Sequence, residues 1–347
     1  MLFNSFEFLA FFAVFVAVYF STPSRFRWIV LLIGSYVFYM AWRPSYVLLI
    51  VASTLLDYCA GRTIAGSDNK AVRLAALSAS VSVNLGLLFT YKYLDFVITT
   101  IDGVTGYWGM PADIPLANLV LPVGISFYTF QTMSYTIDIF RDRIGPERHF
   151  GLFAVYVAFF PQLVAGPIER AEHLLPQFRR KTQLDYERWR SGLMQAMWGL
   201  FKKACIADLA SPFVNGVYAD PQAFNGSYLL LATFLFGLQI YCDFSGYSDI
   251  AVGVARVLGF DLMTNFKQPY FSTSLSDFWR RWHISLSTWF RDYVYIPLGG
   301  SRVSRLRMTF NILIVFIISG VWHGANWTFA LWGLIHGVWL ILVSTHR

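Results

Sequence analysis

Long apolar runs follow one another along the chain with only short polar intervals between them. A helix needs about 20 mostly apolar residues to cross the hydrocarbon core of a bilayer. Residues 6–20, 28–42, 46–64, 74–91, 115–140, 150–166, 193–218, 228–260, 308–321 and 327–344 approach or exceed that length. The pattern predicts an all-α, polytopic transmembrane bundle with roughly nine to eleven crossings. No fixed-period repeat or low-complexity linker interrupts it, so a single membrane domain over residues 1–347 is expected.

The polar intervals orient this bundle. Arg25 and Arg27 follow the first run, Arg62, Lys70 and Arg73 the third, and Arg141, Arg143 and Arg148 the fifth. The interval after the fourth run holds Asp95, Asp102 and Asp113 against a single Lys92. Lys and Arg accumulate in cytoplasmic loops, which predicts an external N-terminus and three cytoplasmic basic intervals. The interval after residues 150–166 is basic again, with Arg170, Arg179, Arg180, Lys181, Arg188 and Arg190. That run is therefore expected to enter and return on one side, because Pro161 and the Gly166-Pro167 pair break helical hydrogen bonding. Such backbone survives at membrane depth only inside protein or beside water.

Residues 275–293 carry a different pattern. At helical spacing, Leu275, Phe278, Trp279, Trp282, Leu286, Trp289, Phe290 and Tyr293 share one face. Ser276, Arg280, His283, Ser287 and Arg291 share a neighbouring one. This predicts an amphipathic helix at the membrane interface, with a helix packed on protein as the alternative.

Composition changes the picture in one respect. Only 14% of residues are charged and 56% are hydrophobic, whereas a soluble domain has about 25% charged residues. A soluble enzyme is excluded. The net charge of +7 lies in short intervals between runs, where it reports orientation, so no nucleic-acid partner is expected. Cys59, Cys205 and Cys242 are isolated in apolar context, and no metal-binding spacing is present. Signatures of a phosphate-binding loop, nucleophile elbow, zinc protease or dinucleotide fold are also absent. The N-terminus has no basic leader and no cleavage site follows Phe20, so the first run is expected to be retained.

Ionisable groups within apolar runs are the candidates for chemistry, since a charge at bilayer centre costs about 2.5–3.5 kcal/mol. His323 lies between two apolar runs among glycines, where a histidine can act as a general base or as a structural hydrogen-bonding group. His283 with Arg280 and Arg281 could orient substrate and hold phosphates, or form a polar stripe. Gln239, Asp243, Gly246, Asp249, Gly253 and Arg256 recur at three- and four-residue steps, and structural ion pairing inside the bundle is expected of the charged members. His336, between Gly333 and Gly337, is expected to pack helices; His149, His173 and His346 are given no role.

Several of these residues lie in longer motifs. Tyr241-Cys242-Asp243-Phe244-Ser245-Gly246-Tyr247-Ser248-Asp249 is followed by Asn265-Phe266-Lys267-Gln268-Pro269-Tyr270. Then come Phe278-Trp279-Arg280-Arg281-Trp282-His283 and Trp322-His323-Gly324. In this order they resemble the membrane-bound O-acyltransferase (MBOAT) family. Leu121-Pro122-Val123-Gly124 and Phe160-Pro161-Gln162-Leu163-Val164-Ala165-Gly166-Pro167 are similar to its alginate O-acetyltransferase branch.

The resemblance implies an O-acetyltransferase that moves an acetyl group from cytoplasmic acetyl-CoA toward a hydroxyl on an extracytoplasmic polysaccharide. Alginate or another cell-surface glycan would be the acceptor, reached through a periplasmic SGNH-type partner. It implies a multi-pass protein of the bacterial inner membrane, in contact with lipid, that uses acetyl-CoA as a substrate and binds no cofactor. His323 and His283 occupy the characteristic catalytic positions; Arg280, Arg281, Asn265 and Asn326 are expected to bind substrate. A polytopic transporter and a non-catalytic scaffold of a polysaccharide-modifying complex are the alternatives. Members of this branch continue beyond the span that follows the Trp-His-Gly site, so a shortened form or a fragment is expected.

Overall fold

The computed structural model describes residues 1–110, 112–164 and 166–345; Ala165 of the family-like motif and His346 lie outside them. In chain order the helices are α1 (Phe6–Ser21), α2 (Arg27–Met40), α3 (Val47–Gly66), α4 (Lys70–Leu88), α5 (Leu94–Tyr107), α6 (Ile125–Phe140), α7 (Phe150–Ala158) and α8 (Phe160–Leu163). They continue as α9 (Ala171–Leu174), α10 (Tyr186–Phe201), α11 (Asp208–Ala219), α12 (Gly226–Val257), α13 (Leu275–Arg281), α14 (Ile284–Phe290), α15 (Arg305–His323) and α16 (Trp327–Thr345). No strand occurs among the described residues. Ser5, Asn69, Asp185, Asn225, Ser274 and Ser304 cap α1, α4, α10, α12, α13 and α15 by accepting first-turn backbone N–H groups. Each such cap contributes about 1 kcal/mol.

Four helical stretches are long and apolar enough to cross a membrane: Pro44–Gly66, Lys70–Tyr107, Gly226–Val257 and Arg305–His323. Shorter apolar helices cover Phe6–Ser21, Phe150–Leu163 and Trp327–Val343. The chain is an all-α polytopic membrane bundle, as the length of its apolar runs predicts.

The elements depart from plain continuous runs in four places, the third of which Pro161 and the Gly166-Pro167 pair foreshadow. First, α4 passes into α5 through the π-helical turn Phe89–Tyr93, so Lys92, Asp95 and Asp102 lie within one continuous helix. Second, the run over residues 115–140 is helical only from Ile125. Pro115 and Pro122 lack the N–H that a helix uses, and Gly124 takes φ +78, open to glycine without strain. Third, α7 has nine residues and breaks at Phe159, where ψ turns to 105°. At 1.5 Å per residue it rises only about 13.5 Å, under half of a roughly 30 Å core. Fourth, residues 275–293 form two short helices that break at Trp282 and His283.

The chain divides into two compact units, Met1–Val51 with His149–Phe266, and Ala52–Arg148 with the residues from Lys267 onward. In the first unit α10 packs along α12 through facing glycines. A Cβ on Gly199 would lie 2.5 Å from the Gly246 carbonyl oxygen, and one on Gly253 would lie 2.4 Å from that of Gly192. Small residues at this spacing let two backbones touch. In the same unit α7 is buried from Gly151 to Ala158.

In the second unit α3, α4 and α6 share a buried polar cluster. The Asp57 carboxylate accepts from Ser80 Oγ at 2.6 Å and from Asn84 Nδ2 at 2.9 and 3.0 Å. Ser53 Oγ in turn donates to Asn84 Oδ1 at 2.9 Å. Polar groups taken this far from water need such partners. The antiparallel hairpin of α15 and α16 is again seamed by glycines: a Cβ on Gly320 would sit 2.2 Å from the Phe329 carbonyl oxygen, and one on Gly333 2.3 Å from that of Phe316.

Candidate active site

His323 is the last residue of α15. Gly324 leaves the helix extended, with the Phe329 ring so close that a Cβ there would lie 2.1 Å from a ring carbon. Two residues on, Asn326 opens α16: its Oδ1 accepts from the Thr328 N–H at 2.9 Å and the Thr328 hydroxyl at 3.0 Å. The Trp-His-Gly-Ala-Asn string is therefore a tight helix-to-helix turn that places an imidazole at the end of an apolar span.

His283 reaches the same place from the break between α13 and α14. Its backbone is left-handed, φ +43 and ψ +56. Histidine adopts this region more readily than most side chains, yet such conformations typically cost about 1–3 kcal/mol and persist only where the surroundings enforce them. Here the flanks are anchored. The Lys267 N–H donates to the Arg281 carbonyl at 3.0 Å, and the His283 carbonyl accepts the Ser287 N–H at 3.0 Å. Trp289 on α14 stacks on Phe130 at 3.9 Å and donates its indole N–H to the Phe130 carbonyl at 2.9 Å.

The two imidazole centroids stand 6.1 Å apart. Trp322 lies 5.0 Å from His323 and 6.0 Å from His283, and Trp332 lies 5.5 Å from His323. His283 is buried while His323 is exposed. Both line a cavity of about 180 Å³ together with Trp279, Trp282, Phe316 and Ser319. Burial, and then the His323 ring, hold the His283 imidazole well below its ordinary pKa, so it is neutral at pH 7. A neutral imidazole offers one donor and one acceptor. An apolar cavity lined by two imidazoles can exchange a proton with a bound hydroxyl and donate a hydrogen bond to an oxygen.

The other expected site residues fall in several places. Arg280 is exposed on α13, and Arg281 pairs with Asp277 at 2.9 Å, which holds that carboxyl below the usual range. Asn265, Asp243, Asp249 and Arg256 belong to the first unit, whereas the two histidines belong to the second. Asn265 is buried and donates to Ser248 Oγ at 3.3 Å, joining two family-like motifs. Asp249 meets Lys202 at 2.5 Å and Gln195 at 3.1 Å, Asp243 meets Lys203 at 2.6 Å, and Arg256 donates to Ser191 Oγ at 3.0 Å. His336 packs between Trp332 and Trp279, at 4.7 and 5.3 Å. Among the described residues no group of three or more His, Cys, Asp or Glu side chains is placed to hold a metal ion.

Two features were missed in the sequence. Lys202 and Lys203 sit inside the apolar run 193–218, and the rule for intramembrane charge marks them as readily as it marks Asp249. Lys92 is the more consequential. Assigned to an interval, it instead projects from the turn Phe89–Tyr93 and donates to the Trp322 carbonyl, with Ser126 Oγ at 3.2 Å and the Trp322 ring 5.4 Å away. Beside it Tyr93 Oη donates to the Val321 carbonyl at 3.0 Å. A cation at a helix C-terminus contributes about 0.3–1 kcal/mol, and up to ~2 when partly buried.

Residues 147–345 match the family model described as MBOAT, the membrane-bound O-acyltransferase family. A probable alginate O-acetylase of Azotobacter vinelandii is 39% identical over 100% of this chain and 69% of its own length. That of Pseudomonas aeruginosa is 40% identical over 99% of this chain and 66% of its own. A peptidoglycan O-acetyltransferase of Helicobacter pylori is 35% identical over 92% and 64%. The chain thus spans about two thirds of the length of these curated relatives. By its family model and its full-length similarity, the chain belongs to the family of membrane-bound O-acyltransferases.

Proposed function

We propose that the protein transfers an acetyl group from cytoplasmic acetyl-CoA toward a hydroxyl on an extracytoplasmic polysaccharide, alginate or another cell-surface glycan. A periplasmic SGNH-type partner would pass the group on from the bacterial inner membrane. The observation that carries this reading is the pair of imidazoles 6.1 Å apart, one buried, the other exposed at the end of an apolar span and facing the same cavity. The names of the relatives, two O-acetylases of alginate and one O-acetyltransferase of peptidoglycan, agree with a glycan acceptor.

His323 takes the proton of the attacking hydroxyl as its oxygen bonds to the thioester carbonyl carbon. As the C–S bond breaks, the imidazolium returns that proton to the departing thiolate. The products are an oxygen ester and free coenzyme A thiol, with no oxidant or reductant consumed. A neutral His283 donates a hydrogen bond to the carbonyl oxygen as charge develops on it, a contact made in full only in the transition state. Exposed Arg280 suits the phosphates of the donor.

Thiol release from acetyl-CoA by the full chain in proteoliposomes, with and without a periplasmic partner, tests the reading. Turnover that His323→Ala abolishes is the expected result. Full acetyl transfer by His323→Ala would sink the base assignment. Substrate flux without thiol release would make the protein a transporter, and acetylation indifferent to both histidines would make it a scaffold.

A further inference from the structure

We infer that Lys92 and Tyr93 form a clamp on the C-terminal turn of α15 that sets how His323 is presented to the attacking hydroxyl, with Lys92 the stronger member. The last four carbonyls of any helix lack partners within it. In α15 these belong to Gly320, Val321, Trp322 and His323. Gly320 accepts the Gly324 N–H at 3.3 Å. The next two are taken from outside, Val321 by Tyr93 Oη and Trp322 by Lys92 Nζ. Both donors come from one π-helical turn, Phe89–Tyr93, inserted between α4 and α5. Such turns interrupt helices frequently at functional sites.

The partners of Lys92 strengthen the case. Within a span an ammonium takes either a carboxylate, as Lys202 and Lys203 do, or a backbone carbonyl. Among the described residues the polar partners of Lys92 are the Trp322 carbonyl and the Ser126 hydroxyl, and its ammonium also stands over the Trp322 ring. Ser126 belongs to α6, so one side chain ties α6 and the α4–α5 helix to the residue directly before the catalytic imidazole. Without it the Trp322 carbonyl has no such donor, the final turn can open, and the imidazole shifts. A misplacement near 1 Å can cost about 10²-fold in rate.

Only the kinetic arm of the test rests on the acyl-transfer reading. In proteoliposomes, Lys92→Met should lower kcat for thiol release by roughly 10- to 100-fold, with KM for acetyl-CoA little changed. Lys92→Arg, which keeps a donor and a charge, should recover most of that loss. Tyr93→Phe, losing one hydrogen bond, should lower kcat about fivefold. Wild-type kcat in Lys92→Met overturns the inference. The second arm needs no turnover: acylation of His323 by diethyl pyrocarbonate at pH 8, followed by mass spectrometry, with half-exposed His173 as internal reference. Lys92→Met should raise the His323 rate at least about threefold over that reference, as local opening would. Equal rates in wild type and Lys92→Met also overturn the clamp. If His323→Ala keeps full activity while Lys92→Met still speeds acylation, the clamp stands and the general-base assignment fails.

Discussion

In the first unit the two ammoniums on the π-helical turn Lys202–Ala207 each meet a carboxylate of α12, Lys202 at Asp249 and Lys203 at Asp243. In the second unit the ammonium on the π-helical turn Phe89–Tyr93 meets the carbonyl of Trp322. The same local device, a widened helical turn carrying lysine, thus has two outcomes. Matched by a carboxylate, the charge is cancelled and what remains is anchorage between helices. Matched by a carbonyl, the charge persists, one residue from an imidazole that opens on a cavity. The difference lies in the partner: a carboxylate offers a full opposite charge, a helix-end carbonyl only a fraction of one.

Four substitutions would break or sharpen that contrast. The largest effect is expected at His323→Ala, which should reduce acetyl transfer by about 10²–10⁴-fold with an unchanged unfolding midpoint in detergent. Lys202→Met should do the reverse. It strands the Asp249 carboxylate, costing roughly 3 kcal/mol of stability, while the activity of the protein that remains folded is preserved. Adding Asp249→Asn should return part of that stability; if it does not, the pair is not the source of the loss. Gly199→Val comes next, because its side chain would press on the Gly246 carbonyl. Overpacking of this kind costs about 1–3 kcal/mol, read as a lower midpoint with kcat retained. Smallest is Asn326→Ala, which removes the cap of α16 for about 1 kcal/mol. A large loss of kcat with stability intact would instead make Asn326 a substrate contact.

Much of this architecture was legible in the sequence, and the misses have physical reasons. The all-α bundle followed from run length and low charge, and the short, broken character of residues 150–166 from Pro161 and the Gly166-Pro167 pair. The break at His283 was not legible. Apolar spacing continues unbroken through Arg281, Trp282 and His283, and no glycine or proline marks the left-handed residue. Its conformation is imposed by the hydrogen bonds and stacking that fix the flanking helices. Lys92 was hidden for the opposite reason. Charged neighbours at Asp95 and Asp102 made residues 92–107 resemble an interval, whereas the helix runs through them and Asp95 accepts the backbone N–H groups of Ala117 and Asn118. The meeting of His283 and His323 could be stated only as an implication of family resemblance. Forty residues separate them in sequence, and no periodicity links them.

The glycines of α10 and α12 carry one more consequence. Gly192 and Gly199 face Gly253 and Gly246, so the points of closest approach lie seven residues apart on each helix, about 10.5 Å along the axis. Sliding either helix by one turn would bring Ala196 or Ile250 to a contact where even one Cβ stands within 3 Å of opposing backbone. The pair behaves like a rack with matched teeth, engaged at one setting. Any movement within this helix pair must therefore be a rocking about the seam, with axial travel blocked, and the Lys202–Asp249 and Lys203–Asp243 pairs beside the seam stay aligned through it.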